Sequence, residues 1–157
     1  LSDGAPEYYN NLGAVYLSMG RYEEAIAVFQ KAAENLLFAS PEISWTGIGF
    51  AYFNMNNYGA AEHAYARAAE LNPDYALAYF RMGELYYTQD RPVEAVAAYK
   101  KVVTFAPNFI EGHYRLGLAQ MKARNPDQAR QAFQNVIRLD PESEQAGLSA
   151  DYLKILE

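Results

Sequence analysis

The chain has 157 residues, 51% of them hydrophobic and 20% charged, with 19 acidic against 13 basic side chains and a formal charge of -6. That balance argues against a nucleic-acid partner, which needs a basic face, and no apolar run reaches the roughly 18 residues of a membrane helix. The absence of cysteine removes disulfides, thiolate nucleophiles and Cys-ligated zinc.

From about residue 6 the chain repeats itself. Glycines stand at Gly13, Gly49, Gly83 and Gly117, spaced 36, 34 and 34 residues. Four residues before each comes a large ring (Tyr9, Trp45, Tyr79, His113), and three after it Tyr16, Tyr52, Tyr86 and, as the exception, Gln120. Twelve after it is always alanine (Ala25, Ala61, Ala95, Ala129), and sixteen after it always an aromatic (Phe29, Tyr65, Tyr99, Phe133). Ring, apolar residue, glycine and ring at this spacing mark one face of a helix, and the alanine and aromatic mark the stripe of a second.

In chain order, the first unit covers about residues 6–41 and turns at Met19-Gly20-Arg21. The second, 42–75, turns at Asn56-Asn57, and the third, 76–109, at Gln89-Asp90. The fourth, 110–143, turns at Arg124-Asn125. Pro92 and Pro126 suit the first turn of a helix, where a missing N–H costs nothing. Pro73, Pro107 and Pro141 stop the second helix and send the chain into the next unit. Residues 144–157 read as one more helix, with Ala146, Ala150, Leu153 and Leu156 on its apolar face, capping the end of the fourth unit. Each hairpin carries an apolar face it cannot bury alone, so the units must stack. The expectation is a single all-α domain over residues 1–157.

The register resembles the tetratricopeptide repeat, whose signature fits as W-T-G-I-G-F-A-Y from Trp45 to Tyr52. The resemblance implies a right-handed superhelical solenoid of helix pairs, with the first helix of each pair lining a groove. Read by that register, the partner-binding groove offers Asn10 and Asn11 from the first unit and Phe50, Phe53 and Asn54 from the second. The third offers Phe80, Arg81 and Tyr87, and the fourth Tyr114, Arg115, Leu118 and Met121; the alternative is that rings such as Phe53 and Tyr87 pack against the next helix and that Arg81 pairs with Glu84 three residues on. Such an apolar stripe suits an amphipathic helix or an extended peptide, and Arg81 and Arg115 can receive a carboxylate of that partner. The basic and asparagine positions by which some family members clamp a C-terminal carboxylate are mostly unfilled here.

No catalytic, metal or cofactor site is expected. Gly47-Ile48-Gly49 lacks the third glycine and the preceding strand of a dinucleotide loop. His113 holds a packing position, and neither it nor His63 has a second ligand at helical spacing. The chain therefore reads as a non-catalytic binding module for a protein or peptide, with an oligomer left open.

A narrower resemblance comes from the first exit, Glu34-Asn-Leu-Leu-Phe-Ala-Ser-Pro41-Glu42, which is similar to that of bacterial type IV pilus biogenesis lipoproteins, the pilotins. It implies a secretin or another pilus component as partner and a place in the periplasm, at the inner face of the outer membrane. The alternative is a general adaptor, cytoplasmic or periplasmic, or the regulatory part of a longer protein. The chain opens on Leu1 and reads as trimmed or processed, so a signal, lipid anchor or further domain would precede it.

Overall fold

The computed structural model describes residues 5–35 and 38–156. Leu36 and Leu37 of the extended first exit, residues 1–4, and Glu157 at the end of the expected cap lie outside these. Every regular element among the described residues is an α-helix: α1 Pro6–Ser18, α2 Tyr22–Ala33, α3 Pro41–Asn54, α4 Tyr58–Leu71, α5 Ala76–Thr88, α6 Pro92–Phe105, α7 Ile110–Lys122, α8 Pro126–Leu139 and α9 Glu144–Ile155. The expected all-α class, its hairpins and the extra C-terminal helix are all present. Two compact units divide the chain, one running to Arg81 and the other starting at Met82, so that the boundary falls inside α5. In the first, α1 packs on α2, α2 on α3 and α3 on α4; in the second, α6 packs on α7, α7 on α8 and α8 on α9.

The repeated glycine and the aromatic sixteen residues later explain why these helices pair. A Cβ on Gly83 or Gly117 would stand 2.5 Å from the ring of Tyr99 or Phe133, and one on Gly13 would lie 2.7 Å from Phe29. Gly49 meets Tyr65 in the same way. Each ring of the second helix therefore lies flat in the space a side chain would take on the first. Phe29, Tyr65, Tyr99 and Phe133 are all buried, as are Ala25, Ala61, Ala95 and Ala129 one turn earlier. Gly47, part of the rejected dinucleotide motif, also faces Phe29. That ring is held between glycines from two different helices.

The hairpin turns are built alike. Gly20, Asn56, Asp90 and Arg124, each seven residues after the repeat glycine, have φ between 59° and 70°. The next residue's N–H returns to the carbonyl five positions back: Arg21 to Tyr16, Asn57 to Tyr52, Arg91 to Tyr86 and Asn125 to Gln120, all at 2.8–2.9 Å. This is the Schellman closure, in which a left-handed residue just past the helix lets the chain reach back and satisfy its last carbonyls. The same two positions also pair through their side chains. The guanidinium of Arg21 lies 4.5 Å from the Tyr16 ring centre and that of Arg91 4.4 Å from Tyr86. In the fourth repeat Asn125 Nδ2 instead donates to Gln120 Oε1 at 2.9 Å. The exceptional Gln120 is thus one half of an amide–amide pair, at the positions where the first and third repeats stack a cation on a ring.

A second latch joins consecutive repeats. Tyr79 Oη donates to the carbonyl of Pro73 at 2.9 Å. His113, at the equivalent position one repeat on, uses Nε2 to reach the carbonyl of Pro107 at 2.8 Å. The large ring before the glycine therefore ties its helix to the proline turn that delivered it, and this accounts for His113 as a packing residue.

Candidate functional site

In the N-terminal unit α1, α2, α3 and the start of α5 enclose an apolar pocket of about 250 Å³. α1 supplies Asn10, Ala14 and Leu17; α3 supplies Ile43, Thr46, Gly47 and Phe50; α5 supplies Leu77 and Arg81. These are positions that the repeat register turns inward. Two further lining residues, Phe29 of α2 and Tyr75 of the turn before α5, were not predicted. Phe29 enters because Gly47 leaves nothing between the ring and the pocket.

The polar groups around this pocket are few and held. Ser44 Oγ donates to Asn10 Oδ1 at 2.9 Å, tying α1 to α3. Thr46 Oγ1 donates to the Glu42 carbonyl at 2.8 Å, so its hydroxyl is satisfied inside the helix. The Arg81 guanidinium sits over Phe50, 4.5 Å from the ring centre, an arrangement that fixes a cation at an apolar wall. Burial pushes the Tyr75 phenol above its ordinary range; the charge of Glu42 adds to this and that of Arg81 opposes it. The result is a greasy cleft with one cation at its edge.

The other groove residues expected in this unit lie elsewhere. Asn11 is exposed on α1. Phe53 packs on Tyr58 across the α3–α4 turn, ring centres 5.7 Å apart. Asn54 spends its amide on the Phe50 carbonyl at 2.7 Å. Phe80 departs from the expectation: it is buried, although Asn10 and Thr46 at the equivalent position line the pocket.

In the C-terminal unit the expected residues are engaged within the protein. Arg115 Nε donates to Glu111 Oε1 at 2.6 Å, and Gln145 Nε2 holds the other Glu111 oxygen at 3.1 Å. Partial burial pulls the Arg115 pKa down, but the bond and charge of Glu111 outweigh it and leave the guanidinium above its ordinary value. Glu111 thus already supplies the carboxylate that the sequence assigned to a partner. Tyr87 receives Lys122 on its ring, 4.5 Å from the centre, and on its carbonyl at 3.1 Å, while the same ammonium pairs with Asp90 at 3.0 Å. Tyr114 packs with Phe133 and with Tyr152 of α9, and those two rings stack 5.1 Å apart and nearly parallel. Leu118 is half-buried, and Met121 lines a cleft with Arg124, Pro126 and Leu156. Among the described residues no group of three or more His, Asp or Glu side chains comes together as a metal site. No described helix is long and apolar enough to cross a membrane.

Comparison with known proteins agrees with the repeat fold. Tetratricopeptide repeat family models match residues 6–35, 47–108 and 110–143 in succession. The chain belongs to the tetratricopeptide repeat family, and its fold is that family's helical solenoid. A crystal structure of MamA is 27% identical with a TM-score of 0.77, over 88% of this chain and 80% of that one. PilW, a type IV pilus biogenesis factor, gives a TM-score of 0.81 at 18% identity, over 98% of this chain and 68% of that one. A repeat domain of Spaghetti (RPAP3), solved with an HSP90 peptide, gives 0.66 at 16% identity, over 73% of this chain and 89% of that one. Among curated proteins, the O-mannosyl-transferase tmtc2 of Xenopus laevis is 33% identical over 76 residues, which are 48% of this chain. The matched stretch spans only 9% of that relative's length.

Proposed function

We propose that this chain is a non-catalytic protein-interaction scaffold whose N-terminal pocket takes an apolar side chain from a partner peptide or helix. The observation that carries the reading is the Phe50–Arg81 wall: an aromatic floor with a cation fixed over it. Such a wall recognises an apolar residue followed by an acidic one, the first burying surface and the second meeting the guanidinium. Asn10, Phe50 and Arg81 are the groove residues that carry this recognition, with Tyr75 and Leu77 as added walls. The neighbour solved with a peptide supports the mode of binding.

The narrower reading is a role in type IV pilus assembly, with a secretin segment as occupant and the periplasm as location. The extended first exit and the fold likeness to PilW support it. The general adaptor reading draws on the MamA likeness and on the match to a short stretch of a much longer transferase.

A panel of fluorescent peptides pairing an aromatic or leucine with aspartate or glutamate, among them segments of secretin subunits, tests both readings. Phe50→Ala should weaken the best binder by about 2 kcal/mol or more, and Arg81→Ala should selectively weaken peptides that carry the acidic residue. Helical content should stay intact in both variants. Binding unchanged by either variant would exclude the pocket, and tight binding of unrelated apolar peptides alone would exclude the secretin.

A further inference from the structure

The fourth repeat departs from the other three at four places of the register. Three residues after its glycine stands Gln120, where the others have Tyr16, Tyr52 and Tyr86. Eleven after it Gln128 takes the place of Glu24, Ala60 and Glu94, and fourteen after it Gln131 that of Ala27, His63 and Ala97. Eighteen after it Asn135 replaces Lys31, Arg67 and Lys101. Every change installs a carboxamide, a group that both donates and accepts hydrogen bonds. Three repeats pair their helices without one at any of these places.

All four carboxamides line one cavity of the C-terminal unit, about 240 Å³ between α6, α7 and α8. α6 adds Lys100 and Val103 to its lining, and α7 adds His113 and Leu116. Two of the polar side chains are deeply buried, Gln120 at 2% exposed and His113 at 7%. Neither is satisfied. His113 spends Nε2 on the Pro107 carbonyl; a carbonyl only accepts, so in the neutral ring Nε2 carries the proton and Nδ1 is a bare acceptor. That Nδ1 is buried without a hydrogen-bond partner. Gln120 gives Oε1 to the amide of Asn125, which leaves its own N–H groups unpaired among the described residues. Lys100 is exposed and pairs with no carboxylate among the described residues.

This inventory selects the ligand. His113 Nδ1 requires a donor, the N–H groups of Gln120 require an acceptor, and Gln128 and Gln131 take either. A carboxylate or phosphate would suit Lys100 but would set its lone pairs against that of Nδ1. A hydroxyl donates and accepts at once, so neighbouring hydroxyls meet both demands. We infer that the cavity binds a compact polyhydroxylated molecule, a single sugar or cyclitol ring. One hydroxyl donates to His113 Nδ1, others bond to the carboxamides, and Val103 and Leu116 take the C–H face of the ring. Sites for drug-sized molecules begin at roughly 300 Å³, so one ring fills this one. The inference is independent of the N-terminal pocket and its partner.

Nitrogen NMR of the whole chain tests it, with glucose, mannose, galactose, N-acetylglucosamine and myo-inositol each titrated in turn. The chain has two histidines, so the exposed His63 on α4 is the internal reference. At least one ring should move His113 Nδ1 and the Gln120 side-chain amide along a single saturating curve while His63 stays still. Glycerol, too small to reach the apolar wall as well, should bind at least tenfold more weakly. His113→Tyr should weaken the best ring at least tenfold and keep its helices by circular dichroism. At the equivalent position Tyr79 makes the same bond to a proline carbonyl with its phenol, and tyrosine offers no Nδ1. Gln131→Ala, at an exposed position, should weaken binding severalfold and replaces His113→Tyr should that chain unfold. No saturating shift with any ring overturns the proposal. So does binding of acetate or phosphate in place of the rings, which would make this an anion site, and so does undiminished binding by either folded variant.

Discussion

The two compact units are built from one repeat and end up different in kind. Both seat a second-helix ring on a first-helix glycine, and both close their turns with a left-handed residue at the same position. The N-terminal unit leaves a pocket open between α1, α3 and α5, floored by Phe50 and edged by Arg81. The C-terminal unit carries the ion pairs Arg115–Glu111 and Lys122–Asp90 along its first helices and turns. Tyr114 there is packed with Tyr152 of the closing helix. Repetition of the backbone register fixes how helices pair and says little about what the surface does.

The largest effect that would sharpen this comparison comes from what the units share. Gly49→Leu in one unit and Gly83→Leu in the other drive a side chain into Tyr65 or Tyr99, and each should cost about 3 kcal/mol. Similar losses in chemical denaturation would show that the pairing rule is common to both; a loss in one alone would break it. Next is the contact that only the C-terminal unit owns. Tyr152→Ala should cost about 2 kcal/mol, less than a fully buried ring because Tyr152 is only half-buried. It should also free Tyr114, seen as increased quenching of tyrosine fluorescence; unchanged stability would mean that α9 does not close this unit.

Smaller still is a mirrored pair at the turns. Gly20 and Arg124 hold the same left-handed position with φ of 70° and 61°. Gly20→Ala should therefore lose about 1 kcal/mol and Arg124→Gly gain about as much, read as opposite shifts in melting temperature. The smallest effect is one of pH. Glu24 is held below the ordinary glutamate range first by its bond from Arg21, and Glu94 first by a backbone N–H and then by Arg91. A carboxylate with a depressed folded pKa stabilises above its unfolded value and loses that contribution as the pH falls through the folded one. Both pairs are solvent-exposed, so the acid limb of the melting profile should flatten only slightly in Arg21→Gln and Arg91→Gln, and equally in each unit. Unequal flattening would set the two pairs apart.

Much of the fold is legible in the sequence because glycine, alanine and ring recur at fixed offsets, and each offset has one physical reading. The candidate site is legible only where it lies on first helices: Asn10, Phe50 and Arg81 follow from the register. Tyr75 does not, since it stands in a turn that belongs to no helix face, and Phe29 reaches the pocket only because Gly47 lies above it. Phe80 was misread: its position three before the glycine also holds Asn10, which lines the pocket, so register alone does not tell an open ring from a buried one. Tyr152 was missed for a related reason: α9 has Asp151 where the glycine should be, so its packing cannot be read by analogy. Gln120 looks like an isolated exception, yet it is bonded to Asn125, whose place the second repeat also fills with asparagine.

The constant distance from glycine to ring has a consequence for how this chain can change length. Gly13 to Phe29, Gly49 to Tyr65, Gly83 to Tyr99 and Gly117 to Phe133 all span sixteen residues, and the two extra residues of the first unit fall after Phe29. An insertion inside a hairpin would slide that hairpin's ring off its seat, whereas one at an exit moves a whole unit without disturbing its interior. Loops or tags grafted between Glu34 and Pro41 should be accepted, and the same grafts between Gly49 and Tyr65 refused.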